Sequence, residues 1–454
     1  EDVSEMKVRL LNWVALAAIA MGSSAFAQQD DALDRALADL NNGMVAPLAG
    51  NVTANGSTSL NISGEARVRN TWFNPARGVG DHKNIDTRLH LNFAFDVTEQ
   101  ASAFIQFNAA ENFGNPGFGP NVATLEPVTL NTGTVNQAYF TATDLVGDGG
   151  EFKIGRSFYT LGSGRILGTD DFDQIPSSYS GIWYTNPLEG WNVEVFMITD
   201  VFNAGGVNGA FAGAFPPGVV RPGQGDADLY GLTFDYVTDA IPLVGTVNIQ
   251  PYVLRYAVNG SATGDTMWYG AQVSGEVEDP GVTYNVEGVF VDSDRNKAPR
   301  NSDFNAWSGT IGVDLGNFTG NLPGNVSPIL EGGFTQSDKR GITINPVYHD
   351  EAGIGDWIAR TSGVQRAGVF SGFASTQWAA IGLEPVEGWD AHTTFINFVD
   401  KTGTGMFDAT EVDVTLGHTF DAGHALSLGI GWVQPDLGIL SDQVVIFATM
   451  SLPF

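Results

Sequence analysis

From Ser57 to Phe454 the chain is built of short segments in which apolar and polar side chains alternate, with turn residues between them. In the first, Leu60, Ile62, Ala66 and Val68 share one face, while Asn61, Ser63, Glu65, Arg67 and Arg69 share the other. In the second, Leu89, Leu91, Phe93 and Phe95 oppose Arg88, His90 and Asn92. Trp191 to Val195, Tyr284 to Val286 and Glu411 to Leu416 repeat the pattern. A period of two marks strands with one apolar face. The spacing predicts eighteen of them, near 58–70, 85–97, 101–110, 134–143, 151–158, 178–186, 190–200, 227–238, 245–258, 266–278, 282–292, 304–316, 325–337, 376–384, 391–399, 410–420, 425–433 and 443–454.

The connections also alternate. Thr98 to Gln100, Asp144 to Gly150, Pro187 to Glu189, Asp279 to Gly281, Glu387 to Trp389 and Asp421 to Gly423 are short. Those at 71–84, 111–133, 159–177, 201–226, 259–265, 293–303, 338–375, 400–409 and 434–442 are the longer ones. A soluble sandwich has no reason to alternate its loops in this way. A transmembrane barrel does: its turns on the periplasmic side are short and its outside loops long. The predicted fold is therefore all-β, an antiparallel up-and-down transmembrane barrel of about 18 strands, 16 being the nearest alternative. Its apolar face meets lipid and its polar face a lumen. No run approaches the ~18 consecutive apolar residues that a membrane-spanning helix needs.

The two ends of the chain add to this picture. Lys7 and Arg9 precede the apolar run Val14 to Met21, and Ala25-Phe26-Ala27 follows, so 6–27 reads as a signal peptide cut after Ala27. Leu33, Leu37 and Leu40 give a short amphipathic helix, and the Gly/Asn/Ser/Thr-rich stretch after it reads as linker, making 28–56 a periplasmic helix and linker ahead of the barrel at 57–454. In the last strand Val444, Ile446, Ala448, Met450, Leu452 and Phe454 share one face. A terminal Phe closing such a strand resembles the assembly signal of bacterial outer-membrane proteins.

Composition removes several classes of function. The absence of cysteine excludes a disulfide framework, a thiolate metal site and a Cys nucleophile. A formal charge of −30 argues against nucleic acid as a partner. Yet only 16% of residues are charged and 43% are hydrophobic, so the chain is not a disordered acidic tail. No G-x-S-x-G occurs and no two His stand at zinc-protease spacing, so neither a catalytic residue nor a cofactor is expected. Asp292, Asp294 and Asn296 have the opening spacing of a calcium loop, but Lys297 stands where Gly is needed and Asp303 where Glu is, so the stretch reads as an outer loop rather than a metal site.

Two regions resemble the alginate-export family of eighteen-stranded bacterial porins. One runs from Asn136-Gln-Ala-Tyr139 through Phe152-Lys-Ile-Gly-Arg156 to Gly164-Arg-Ile-Leu-Gly168; the other is Glu411 to Leu416 with Gly429-Ile-Gly-Trp432 to Pro435. Ser157 and Phe172 depart from the family's usual Gln and Trp. The resemblance implies that Arg156 enters the constriction, with Arg165 in the loop motif after it.

Pore selectivity is set by charged side chains at a constriction. Strand parity directs Arg67, Arg69, Arg88 and Lys153 into the lumen, and Arg156 joins them if Gly155 forms a bulge. Asp170, Asp171 and Asp173 follow in the next loop, where an inward fold would set carboxylates against the Arg row. The competing role for these arginines is to neutralise lumen acids such as Glu65 and Asp86. The expected function is an outer-membrane porin for passive diffusion of small hydrophilic solutes and ions. The alternatives are a selective channel for a saccharide or anionic polysaccharide, or a non-conducting structural barrel. Expected partners are outer-membrane lipids and lipopolysaccharide, the solutes and the assembly machinery, with room for a homo-oligomer.

Overall fold

The computed structural model describes residues 50–53, 59–74, 82–112, 134–145, 149–169, 176–188, 190–202, 227–242, 244–258, 266–278, 281–293, 304–316, 327–337, 374–384, 388–400, 408–421, 423–435 and 442–454. The expected signal peptide and amphipathic helix, the loop at 338–373, the Asp170, Asp171 and Asp173 cluster and the stretch from Asp294 to Asp303 lie outside the described residues.

The strands are β1 Gly50–Thr53, β2 Ser59–Asn74, β3 His82–Thr98, β4 Ala101–Asn112, β5 Thr134–Thr143, β6 Glu151–Ser157, β7 Ser178–Leu188, β8 Trp191–Phe202 and β9 Ala227–Val237. They continue as β10 Thr246–Val258, β11 Thr266–Val277, β12 Val282–Ser293, β13 Phe304–Asp314, β14 Ser327–Ser337, β15 Ala374–Glu384, β16 Trp389–Asp400, β17 Ala409–Thr419, β18 Ala425–Pro435 and β19 Gln443–Pro453. Each of β2 to β19 pairs antiparallel with its neighbours in sequence, and β19 pairs with β2, so eighteen strands form a closed barrel. Closure leaves no long sheet edge open to another chain. Every predicted strand is present, with ends within a few residues of the expected ones.

Alternation sorts the side chains. Leu89, Phe107, Phe140, Ile154, Ile182, Phe290 and Phe395 are exposed on the outer face, while Arg88, His90, Gln106 and Asn108 are buried inside. Register shifts interrupt the β3–β4, β4–β5 and β7–β8 pairings and leave the rest of the ladder regular.

The seam carries a feature absent from the linker expected there. β19 pairs with β2 only from Glu65 upward, and the backbones of Gly64 and Phe454 exchange hydrogen bonds of 2.8 and 3.0 Å just below. Ser59 to Ile62 are left with a bare edge on that side. Gly50–Thr53 fills it, pairing Gly50 with Ile62 and Thr53 with Ser59. Unsatisfied backbone donors and acceptors at a sheet edge recruit any segment that can extend beside them.

Candidate functional site

The chain leaves β6 at Ser157 and folds into the barrel. Gly162 and Gly164 take φ of 54° and 80°, values that side-chain-bearing residues rarely adopt, and these set a tight turn. The Leu161 N–H donates to the Leu167 carbonyl (2.8 Å) and the Gly164 N–H to the Leu161 carbonyl (2.9 Å). Leu161, Ile166 and Leu167 are fully buried against Tyr179, Trp183, Phe196, Tyr252, Leu254 and Trp268, which come from β7, β8, β10 and β11. Burying an aliphatic side chain of this size contributes roughly 1.5–3 kcal/mol, so the three together hold the segment firmly to the wall.

Two wall carboxylates fix its polar groups. Glu287 of β12 is wholly buried; it accepts hydrogen bonds from the Tyr252 hydroxyl (2.7 Å) and from Ser163, and Arg165 Nη1 lies 3.7 Å away. Glu194 of β8 accepts from the Tyr159 hydroxyl at 2.7 Å. Burial, and after it the charge and hydrogen bond of Glu194, hold the Tyr159 phenol well above its usual pKa, so it remains a donor. The ends of the segment are tied locally: the Phe158 N–H donates to the Gln137 amide oxygen (3.0 Å) and the Tyr159 N–H to Thr169 Oγ1 (3.1 Å).

The far wall is basic. Arg67, Arg69 and Arg88 are buried on the inner face of β2 and β3, and β3 lies nine strands around the eighteen-strand ring from β12. Arg67 and Arg88 are register partners. Arg88 donates to Glu65 at 3.0 Å, and Arg69 Nη2 is 3.7 Å from its own register partner, Asp86. Lys153, on the inner face of β6, lies 4.9 Å from the Trp183 ring centroid and 5.8 Å from that of Tyr139.

Two candidate residues stand elsewhere than expected. Arg156 is not inside. Pairing runs unbroken through Gly155 on both sides of β6, so Gly155 has a left-handed backbone (φ 130°) but adds no residue to the ladder. Without a bulge, parity keeps Arg156 on the outer face with Ile154 and Ile182; its Nη2 is 3.5 Å from Asp200. Arg165 is inside, but its contact is Glu287 on the wall that the segment packs against.

Several inner residues were not singled out from the sequence. Glu287, Glu194 and Tyr252 anchor the inward segment, and Glu411 and Asp413 are two buried carboxylates on the inner face of β17. A signal was present: Tyr252, Leu254, Tyr256, Trp268, Val289 and Val291 make the inner face of β10 to β12 apolar, although a water-filled lumen wall should be polar. An apolar inner wall requires something to cover it. Among the described residues no three His, Asp or Glu come together as metal ligands.

No family model and no curated protein matches the chain. Solved structures do match. They include a BenF-like porin from Pseudomonas fluorescens Pf-5, at 13% identity over 87% of this chain and 98% of that one, with a TM-score of 0.60. The outer membrane protein opdK from Pseudomonas aeruginosa matches at 13% identity, 87% and 99% coverage and a TM-score of 0.57. OccAB3 from Acinetobacter baumannii matches at 12%, 87%, 99% and 0.57. At such identities the likeness establishes the porin-type barrel fold.

Proposed function

We propose that this barrel is an outer-membrane porin, a channel through which small hydrophilic solutes and ions diffuse. The carrying observation is the segment from Phe158 to Thr169, folded inside the barrel, packed on the β7–β13 wall and anchored at Glu194 and Glu287. It narrows a lumen whose opposite wall carries Arg67, Arg69 and Arg88. Eighteen strands enclose more space than side chains alone fill, which is why barrels of 16–18 strands can conduct. Polar groups lining the inner face replace part of a solute's hydration, and the apolar outer face suits lipid. The match to solved porins over 87% of the chain supports the same reading.

The Arg row favours anions at the constriction, while the −30 charge of the chain favours cations in the approaches. Glu411 and Asp413, three strands from β2, place acid near the Arg row, giving a transverse field that orients dipolar solutes. A second reading, selective passage of a saccharide or anionic polysaccharide, draws on the Arg67–Arg88 pair and the alginate-export resemblance. Planar-bilayer conductance under a salt gradient tests both. Steady steps establish a pore; anion-selective reversal favours the second reading, and cation-selective reversal a general porin. A folded barrel that never conducts overturns both and leaves a structural role.

A further inference from the structure

Inside the barrel, near its short-turn end, one register row crosses β2 to β5: Asn61, Ala94, Phe104 and Tyr139. Parity sets all four on the inner face, with Arg67, His90 and Gln106. The Phe104 ring is held from one side. It stacks on Tyr139, with centroids 5.3 Å apart and planes at 27°, and Lys153 Nζ lies 5.8 Å from the Tyr139 centroid on the strand beyond. On the other side its cross-strand partner is Ala94, whose methyl group is too short to cover the second face of the ring. Phe104 is accordingly only half-buried, although Gln106, two residues on, is buried. Asn61, next in the row, is exposed. Ala94 is therefore the floor of a notch between Phe104 and Asn61. Polar groups border its two remaining sides, about 7 Å to either side of the row. Toward the long loops, half-buried Asn92 accepts from Gln106 Nε2 (2.9 Å) and donates to Ser63 Oγ (3.5 Å). Toward the short turns, exposed Asp96 accepts from Ser59 Oγ at 2.5 Å through Oδ2. An amide carries a second proton and a carboxylate a second oxygen for a further partner.

We propose that this notch binds a pyranose ring of a neutral saccharide: the apolar C–H face of the sugar on Phe104, two adjacent hydroxyls donating to Asp96, and the opposite edge meeting Asn92 and Asn61. A pyranose is apolar on its faces and polar around its rim, and the notch offers one open aromatic face with hydrogen-bonding groups at its borders. Hydroxyls donating to a carboxylate make the stronger, charge-assisted kind of hydrogen bond. An anionic solute meets repulsion from Asp96, and Lys153, which could offset it, stands beyond Tyr139 on the far side of Phe104. A purely apolar solute would leave the amide and the carboxylate without partners. A linear polyol has the hydroxyls but no rigid face for the ring. The proposal rests on the porin reading and gives that pore a class of solute, held at its short-turn mouth.

Planar-bilayer recordings of the refolded full chain test it, with maltotriose as the probe and a polyethylene glycol of the same hydrodynamic size as the steric control, both added on both sides. In the wild type maltotriose should interrupt the current at a concentration about tenfold below that of the glycol, a preference of about 1.4 kcal/mol. Phe104→Leu keeps an apolar side chain but not the ring. It should raise the half-blocking concentration of maltotriose about fivefold and leave that of the glycol unchanged. Ala94→Leu fills the notch from its floor and should do the same with Phe104 in place; it decides the matter by itself if Phe104→Leu fails to fold. Equal block by the two probes in the wild type overturns the site, as does an unchanged half-blocking concentration in the variants. Stronger block by trigalacturonate than by maltotriose overturns the neutral class of solute. Saturation-transfer NMR on the same sample in detergent reads contact with maltotriose without any current, and so separates this proposal from the porin reading. A conducting barrel without sugar preference loses only the site, and a silent barrel whose maltotriose signal falls in Phe104→Leu loses only the pore.

Discussion

Arg67 on β2 and Arg88 on β3 stand directly opposite each other on the inner face, two buried like charges in one register pair. Like charges in that position repel. Glu65, 3.0 Å from Arg88, and Asp86, 3.7 Å from Arg69, offset part of the repulsion.

Removing these two charges should change the pore. Arg67→Ala with Arg88→Ala should lower the anion-to-cation permeability ratio by about threefold, or about 0.7 kcal/mol, read from the reversal potential under a salt gradient. Arg255→Ala, which takes a cation from the exposed outer face, is the control and should leave the ratio unchanged. Equal effects from the two would mean that net charge, and not the Arg row, sets selectivity.

Glu287 joins the inward segment to the barrel through Ser163, Arg165 and Tyr252. Glu287→Gln keeps the shape but removes the charge facing Arg165, and should cost about 1–3 kcal/mol of local stability. Open-channel noise and step size should rise as the segment loosens. Quiet, unchanged steps would show that the apolar contacts hold it alone.

Those contacts have their own measure. Leu167→Ala leaves a cavity between the segment and the wall, at a cost of about 2–5 kcal/mol. A lowered unfolding temperature, with enhanced proteolysis between Phe158 and Thr169, is the expected result.

Tyr159 adds a pH dependence. Its phenol is raised above the ordinary value of 10.0 by burial and by Glu194, so the folded state holds this proton more tightly than the unfolded one. The associated stability is fully present below pH 10.0 and declines as pH rises above it. Channel noise should therefore increase in that alkaline range in the wild type, and less so in Tyr159→Phe, which has no proton to lose.

At the seam, Phe454 pairs with Gly64 through both backbone groups, and a side chain at Gly64 would collide with the Phe454 ring. Gly64→Val should reduce the folded fraction, seen as loss of heat-modifiable mobility on gels.

Strand count, strand ends, barrel class and the orientation of Arg67, Arg69, Arg88 and Lys153 were legible in the sequence. Each follows from local rules: alternation of period two fixes which side chains share a face, and turn residues mark where a strand stops. Tertiary structure decided the rest. That Glu287 of β12 meets Ser163 across 124 residues follows from closure of the barrel, which brings distant strands around one lumen. The inner apolar wall of β10 to β12 and the apolar Leu161, Ile166 and Leu167 were both visible as residues, but their match is a property of the closed cylinder. Arg156 shows the same limit: a Gly beside it allowed a bulge, and only the unbroken hydrogen-bond ladder on both flanks kept its side chain outside. Alternation is a property of one strand, so the chain writes it locally; what fills a lumen depends on all eighteen strands at once.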